Sequence, residues 1–222
     1  MRELFHFDIE TVGEHKDFKT FMENDERGAN LFLNKFEKMS HWQEKYDNVE
    51  EAYLDNAGVI STYGKIVCIS CGYLDKEVEK IESCSGDEKY ILEKFNNTLK
   101  KVEKKDFNLS GFRIVHFDIP WVLHKMHKYD IIPADIIYSY NKKPWEMRIT
   151  DLSEDWKGRF AWSFSFDELC YELGIKSPKD NLNGSQVHKT YWERGDEDII
   201  KYCESDVSAS IKAGEIIYKK ER

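Results

Sequence analysis

The chain has 222 residues, 41% hydrophobic and 14% aromatic, which supplies the core of one sizeable domain and argues against intrinsic disorder. A formal net charge of −9 excludes a protein that coats nucleic acid through a broad basic face, but not a local site whose carboxylates are neutralised by bound cations. No apolar run approaches the ~18 residues of a membrane span, and Met1-Arg2-Glu3 does not open a signal peptide, so no membrane association and a reducing, cytoplasmic setting are expected.

The first strand is expected at Leu4-Phe5-His6-Phe7, leading into Asp8-Ile9-Glu10-Thr11. Alternation along a strand puts Asp8 and Glu10 on one face, roughly 7 Å apart, with Phe5, Phe7 and Ile9 on the other. Two such acids where a strand meets a loop can hold divalent cations, although an isolated pair is usually a solvated strand end. Residues 13–57 read as a helical insertion, with one short helix around Phe18, Phe21 and Met22 and another around Leu31, Phe32, Phe36 and Met39, and with Trp42 beyond. Lys65 to Leu74 and Val78 to Ser83 read as a hairpin, followed by a helix from Asp87 to Val102. Phe112 to Phe117 reads as the next strand, placing Asp118 at a strand-to-helix junction before Pro120, with a helix over Trp121 to Tyr129. Met147 to Leu152 is a further strand. Ser165 and Glu168 form a capping box for a helix over Phe166 to Leu173, stopped by Gly174. A short helix from Gln186 to Trp192 is capped by Ser185, and the last helix runs from about Asp196 to Lys219, acidic at its start and basic (Lys219, Lys220) at its end. On it Tyr202 and Asp206 stack on one face, with Ile199, Cys203 and Val207 on the adjacent apolar side.

Strands interspersed with helices predict an α/β fold with a mixed sheet, and the absence of a Pro/Gly-rich linker predicts a single domain over 1–222. The five cysteines, Cys68, Cys71, Cys84, Cys170 and Cys203, have no framework spacing. Cys68-x-x-Cys71 lies in a strand, where residues three apart face opposite sides, so all five read as structural thiols.

Three local patterns therefore occur in a fixed order: Asp8-x-Glu10, Asp118, and Tyr202-x-x-x-Asp206. Together they resemble the DEDD superfamily of 3′-to-5′ exonucleases in its tyrosine subclass. The similarity is to stand-alone exonucleases related to the proofreading domain of family B DNA polymerases. Phe7-Asp8-Ile9-Glu10-Thr11 is similar to the first motif of that group, Gly111 to Pro120 to the second, and Tyr202 to Asp206 to the third. Tyr63 to Ser70, Lys143-Pro144-Trp145-Glu146 and Asn183 to Val187 resemble it more softly. Arg113 stands where the group usually has asparagine. The resemblance implies an RNase H-like fold, a mixed five-stranded sheet flanked by helices. It also implies two divalent ions, Mg²⁺ or Mn²⁺, held by Asp8, Glu10, Asp118 and Asp206, with Tyr202 orienting the attacking water. Oxygen-only ligands suit those hard ions and disfavour zinc.

The implied reaction is hydrolysis at the 3′ end of single-stranded DNA, releasing nucleoside 5′-monophosphates. An exoribonuclease with the same site, or an inactive nuclease-fold binding module, are the alternatives. The partner is nucleic acid; any replication or repair protein is unspecified. Thr11, Arg113, Phe117 and Trp121 are candidate substrate contacts, the aromatic ones because a base stacked on a ring gains ~1–3 kcal/mol. Lys179, Lys189 and Arg194 are candidate backbone contacts, and Asp151 reads as a structural acid.

Overall fold

The computed structural model describes residues 3–138, 142–159, 162–180 and 182–218. The first strand is longer than its apolar start suggests. It runs Leu4–Gly13 (β1), and then the chain leaves the sheet for four helices, Phe18–Asn24 (α1), Glu26–Lys38 (α2), Ser40–Lys45 (α3) and Val49–Asn56 (α4). Asx caps start three of them: Asp17 accepts from Thr20 N, Asp25 from Gly28 N and Asn48 from Glu51 N. Phe18, Phe21, Phe32, Trp42, Tyr53 and Tyr63 fill a separate aromatic core between these helices. α4 was not anticipated, because its apolar stripe is weak; the Asn48 cap followed by Glu50 and Glu51 is the signal that marks it.

Gly64–Asp75 (β2) and Val78–Ser85 (β3) form the hairpin, and Glu88–Lys104 (α5) packs behind it. The buried stripe of α5, Ile91, Leu92, Phe95, Leu99 and Val102, meets Phe5, Phe7 and Ile9 of β1 in the main core. Each such side chain contributes roughly 1.5–3 kcal/mol through burial.

The strand expected at Phe112 to Phe117 lies earlier. Asn108–Gly111 (β4) pairs in parallel with β1, from Leu4 opposite Asn108 to His6 opposite Ser110. The chain then turns sharply. A Cβ at Gly111 would collide with Ile114 Cγ2 and would meet Phe7 O at 2.7 Å, so only glycine permits the bend. The N–H groups of Arg113 and Val115, which a longer strand would have given to a neighbour, donate instead to the Asp151 carboxylate, both at 3.0 Å. Arg113 sits at φ +61°, a left-handed conformation that asparagine adopts more readily than arginine.

Asp118–Lys128 (α6) follows the turn, and Ile149–Asp151 (β5) adds in parallel to β4. Leu152–Lys157 (α7) starts directly from β5 with Asp151 as its cap. Phe166–Glu172 (α8) has the expected Ser165/Glu168 capping box. Val187–Arg194 (α9) is preceded by a 3₁₀ turn, Gly184–Gln186, whose capping residue is Asn183 rather than Ser185. Glu197–Ile217 (α10) is the last helix; Lys219 and Lys220, expected in its last turn, lie outside the described residues.

Among the described residues the strands form one five-stranded sheet in the order β3-β2-β1-β4-β5, with only β1–β2 and β2–β3 antiparallel. α5 and α6 share the main core on one face, and α10 crosses β1, β2 and β3 on the other. This is a mixed α/β sheet of the RNase H-like kind. Cys68 and Cys71 do face opposite sides, one packing with Tyr202 and Cys203, the other with the α5 core.

Candidate active site

The alternation of β1 decides where its acids point. Phe5, Phe7 and Ile9 go to the main core, and Val12 goes to the cluster that contains Tyr202 and Cys203. Asp8 and Glu10 share the face of Val12 and so look toward α10. The β1–β2 register runs regularly through Asp8 opposite Ser70 and Glu10 opposite Cys68, then shifts, so that Thr11 pairs with Ile66. The unpaired Val67 makes this a bulge, a local re-aiming of the strand beside Glu10.

Asp118 enters from the other side. It begins α6 after the Gly111 turn, and its Oδ1 accepts the Ile9 N–H at 3.0 Å. β4 has already bent away at that point, so the carboxylate takes the place of a strand partner between Asp8 and Glu10. Asp206 reaches the same region from the middle of α10, with Tyr202 one turn before it on the same face. Close approach of α10 to β1 is possible because Gly214 carries no side chain: a Cβ there would meet the His6 ring at 2.9 Å.

The electrostatics of this grouping are unfavourable without a cation. Burial pushes Asp8 well above the ordinary carboxylate range, and Asp206, Asp118 and Glu10 push it further. Glu10 is raised by burial, then by Asp206, with Cys68 and Asp118 adding to it. Burial brings Asp118 up to about 7, against the hydrogen bonds from the backbone of Ile9 and of Asp118 itself. Burial also brings Asp206 up to about 7, while the Tyr202 hydroxyl and the Lys179 ammonium favour its charged form. The Tyr202 phenol is pushed up by burial and then by Asp206, Glu10 and Asp8, so it stays protonated. Four acids from three distant stretches of chain thus feel one another's charge in a buried place. That is the donor chemistry of a divalent-cation site.

One family model matches, over residues 59–210, and its description is a predicted 3′-5′ exonuclease related to the exonuclease domain of PolB. The chain belongs to this family. Its members are described as exonucleases, hydrolases that work on nucleic acid ends. The matched stretch contains Asp118, Tyr202 and Asp206 and leaves out residues 1–58, so Asp8 and Glu10 join the family's segment through the fold. Curated proteins give no match.

The candidate substrate contacts of this PolB-related exonuclease fare differently from the acids. Trp121 is 3% exposed in the main core, so it presents no face on which a base can stack; this corrects its expected role. Phe117 is half-buried and packs against Trp121, ring centroids 5.8 Å apart. Thr11 donates its hydroxyl to the Gly58 carbonyl, tying the end of the insertion to β1. Arg113 is exposed and donates to the Phe164 carbonyl at 3.1 Å. Lys189 pairs with Glu193 at 3.9 Å on the surface of α9, and Arg194 closes that helix. Asp151 is a structural acid: Arg113 N, Val115 N, Ser153 N, Ser153 Oγ and Glu154 N all donate to it.

Two features escaped the sequence reading. His188 on α9 accepts the Gly13 N–H at Nδ1, 3.0 Å, and its Nε2 lies 2.9 Å from the Lys16 carbonyl. Burial holds this imidazole below its usual range, so its neutral form bridges the end of β1 and the helix before α10. Cys203, assigned to the apolar side of the last helix, lies against Asp8, its thiol 3.4 Å from both the main-chain oxygen and Oδ2. Its spacing of three from Asp206 was the available signal.

Proposed function

We propose that this chain is a metal-dependent 3′-to-5′ exodeoxyribonuclease that removes nucleoside 5′-monophosphates from single-stranded DNA ends. The observation that carries this reading is that Asp118, bonded to the Ile9 N–H between Asp8 and Glu10, and Asp206, one turn from Tyr202 on α10, raise the proton affinity of both β1 acids. Asp8, Glu10, Asp118 and Asp206 would hold two Mg²⁺ or Mn²⁺ ions through oxygen ligands. When bound, the pair of ions stabilises charge on the attacking and leaving oxygens. Tyr202 orients the attacking water by a hydrogen bond; a phenol kept protonated by its surroundings acts through position rather than as a base. Asp118 fixes β1 through Ile9, which sets the spacing between Asp8 and Glu10. Its five unpaired cysteines suit a reducing, cytoplasmic setting.

The test is a side-by-side digestion of matched single-stranded DNA and RNA oligonucleotides, 5′-labelled, with Mn²⁺ and with a chelator. Stepwise shortening of the DNA from its 3′ end, abolished by chelator, is the expected result. Faster shortening of RNA would make the chain an exoribonuclease. Binding of both without cleavage would make it a binding module.

A further inference from the structure

Between α10 and β1 a sulfur donor lies beside the carboxylate oxygens. Cys203 is fully buried, and its thiol contacts Asp8 Oδ2 at 3.4 Å. One potential ligand atom from each of Asp8, Glu10 and Cys203 lies within 4.8 Å of the other two. Glu10 is 7% exposed, and its carboxylate has no hydrogen bond or ion pair among the described residues. A nearly buried carboxylate with no protein donor, facing a thiol and a second carboxylate, offers a cation its free oxygens.

The kind of cation follows from the ligands. Mg²⁺ takes hard oxygen donors, whereas a thiolate selects softer ions such as Zn²⁺. Around a tetrahedral zinc, bonds of ~2.3 Å to sulfur and ~2.1 Å to oxygen hold the ligand atoms roughly 3.5 Å apart. Cys203 Sγ and Asp8 Oδ2 already have that separation.

We infer that Asp8, Glu10 and Cys203 form a thiophilic metal site that takes Zn²⁺ and, by occupying Asp8 and Glu10, competes with Mg²⁺ or Mn²⁺ for those carboxylates. On binding, the Sγ–H bond breaks, its proton passes to solvent and a sulfur–zinc bond forms; no electrons are exchanged. The inhibitory consequence rests on the nuclease reading, but the binding does not.

The probe is Cd²⁺, which binds as Zn²⁺ does and reports sulfur ligation through its ultraviolet charge-transfer absorption. The metal-free chain, titrated in excess Mg²⁺, should develop that band at one equivalent. Cys203→Ser should lose it and bind Cd²⁺ at least roughly tenfold more weakly by calorimetry. Asp8→Asn, which keeps the thiol but removes a carboxylate ligand, should weaken binding comparably. Cys84→Ser should keep the band, because that thiol packs on the opposite face of the sheet with Phe95. Mn²⁺, a harder ion, should displace the probe only in large excess. Circular dichroism establishes that each variant is folded, and Cys203→Ala replaces Cys203→Ser if the serine is not tolerated. Wild-type titrations from the folded Cys203 variant or from Asp8→Asn, or loss of the band in Cys84→Ser, overturn the inference. A chain that binds Cd²⁺ through Cys203 yet leaves DNA intact with Mn²⁺ sinks the nuclease reading alone. One that digests DNA but shows no Cys203-dependent band sinks this inference alone.

Discussion

Asp151 and the group formed by Asp8, Glu10, Asp118 and Asp206 are two ways of burying carboxylates in one sheet. Asp151 is surrounded by donors: four backbone N–H groups and the Ser153 hydroxyl point at it. Its negative charge organises the turn after β4 and the start of α7. The other four receive far less. Asp118 accepts the Ile9 N–H and Asp8 a weak thiol, while each of the four raises the proton affinity of a neighbour. Glu88 lies with Asp151 in this contrast, since Ile66 N, Tyr129 Oη and the ammonium groups of Lys125 and Lys128 surround it. A buried acid that is satisfied locally builds structure, and a set that is not satisfied stores unfavourable energy that a cation can relieve.

Exchanging the two kinds of acid tests the contrast. Asp8→Ala should cut turnover by roughly 10³-fold, the scale of losing an electrostatic support of the transition state, with the fold retained. Wild-type rates from that variant would remove Asp8 from the chemistry. Asp151→Ala should do the opposite. Leaving several backbone donors unsatisfied should cost about 2–4 kcal/mol in denaturant unfolding. A wild-type unfolding midpoint would reject its structural role.

Tyr202→Phe should slow hydrolysis about tenfold, the worth of one orienting hydrogen bond, and so less than Asp8→Ala. A complete loss with unchanged metal binding would show that the hydroxyl does more than position water.

Acidity separates the regions again. Asp118 and Asp206 have folded-state values of about 7, above those of an unfolded chain. The stability they contribute is therefore complete below pH ~4 and is lost as pH rises through about 7. Metal-free Asp118→Asn should melt a few degrees above metal-free wild type at pH 8 and level with it near pH 4, because the amide can still accept the Ile9 N–H. A constant difference across that range would contradict the sign. The smallest expected effect is at the Asp151-held turn: Arg113→Asn should stabilise by about 0.5–1 kcal/mol, since asparagine tolerates the positive φ better. Destabilisation would mean that the Arg113 bond to Phe164 outweighs the backbone.

Much of this was legible beforehand, and the legible parts share a cause. The hairpin, α5, α8 and α10 have strong periodicity or explicit caps, so local rules identify them. The five side chains of the three motifs could be proposed beforehand because each pattern is short and sits on or beside a regular element. The strand expected at Phe112 to Phe117 failed because its apolar residues serve a turn. The donors that hold that turn point to Asp151, which is 38 residues from Arg113 and 36 from Val115. Trp121 failed as a stacking residue because composition does not say which side of a helix is covered.

What the amino-acid order determined alone is which residues are paired by alternation or by one helical turn: Asp8 with Glu10, and Tyr202 with Asp206. What only the tertiary structure decided is that these pairs and Asp118 come near enough to feel one another's charge, with Cys203 against Asp8 and Lys179 acting on Asp206. Local periodicity reaches a few residues along the chain. Which distant side chains meet is set by the order of strands in the sheet and by how closely α10 can approach it, through Gly214 and the turn at Gly111.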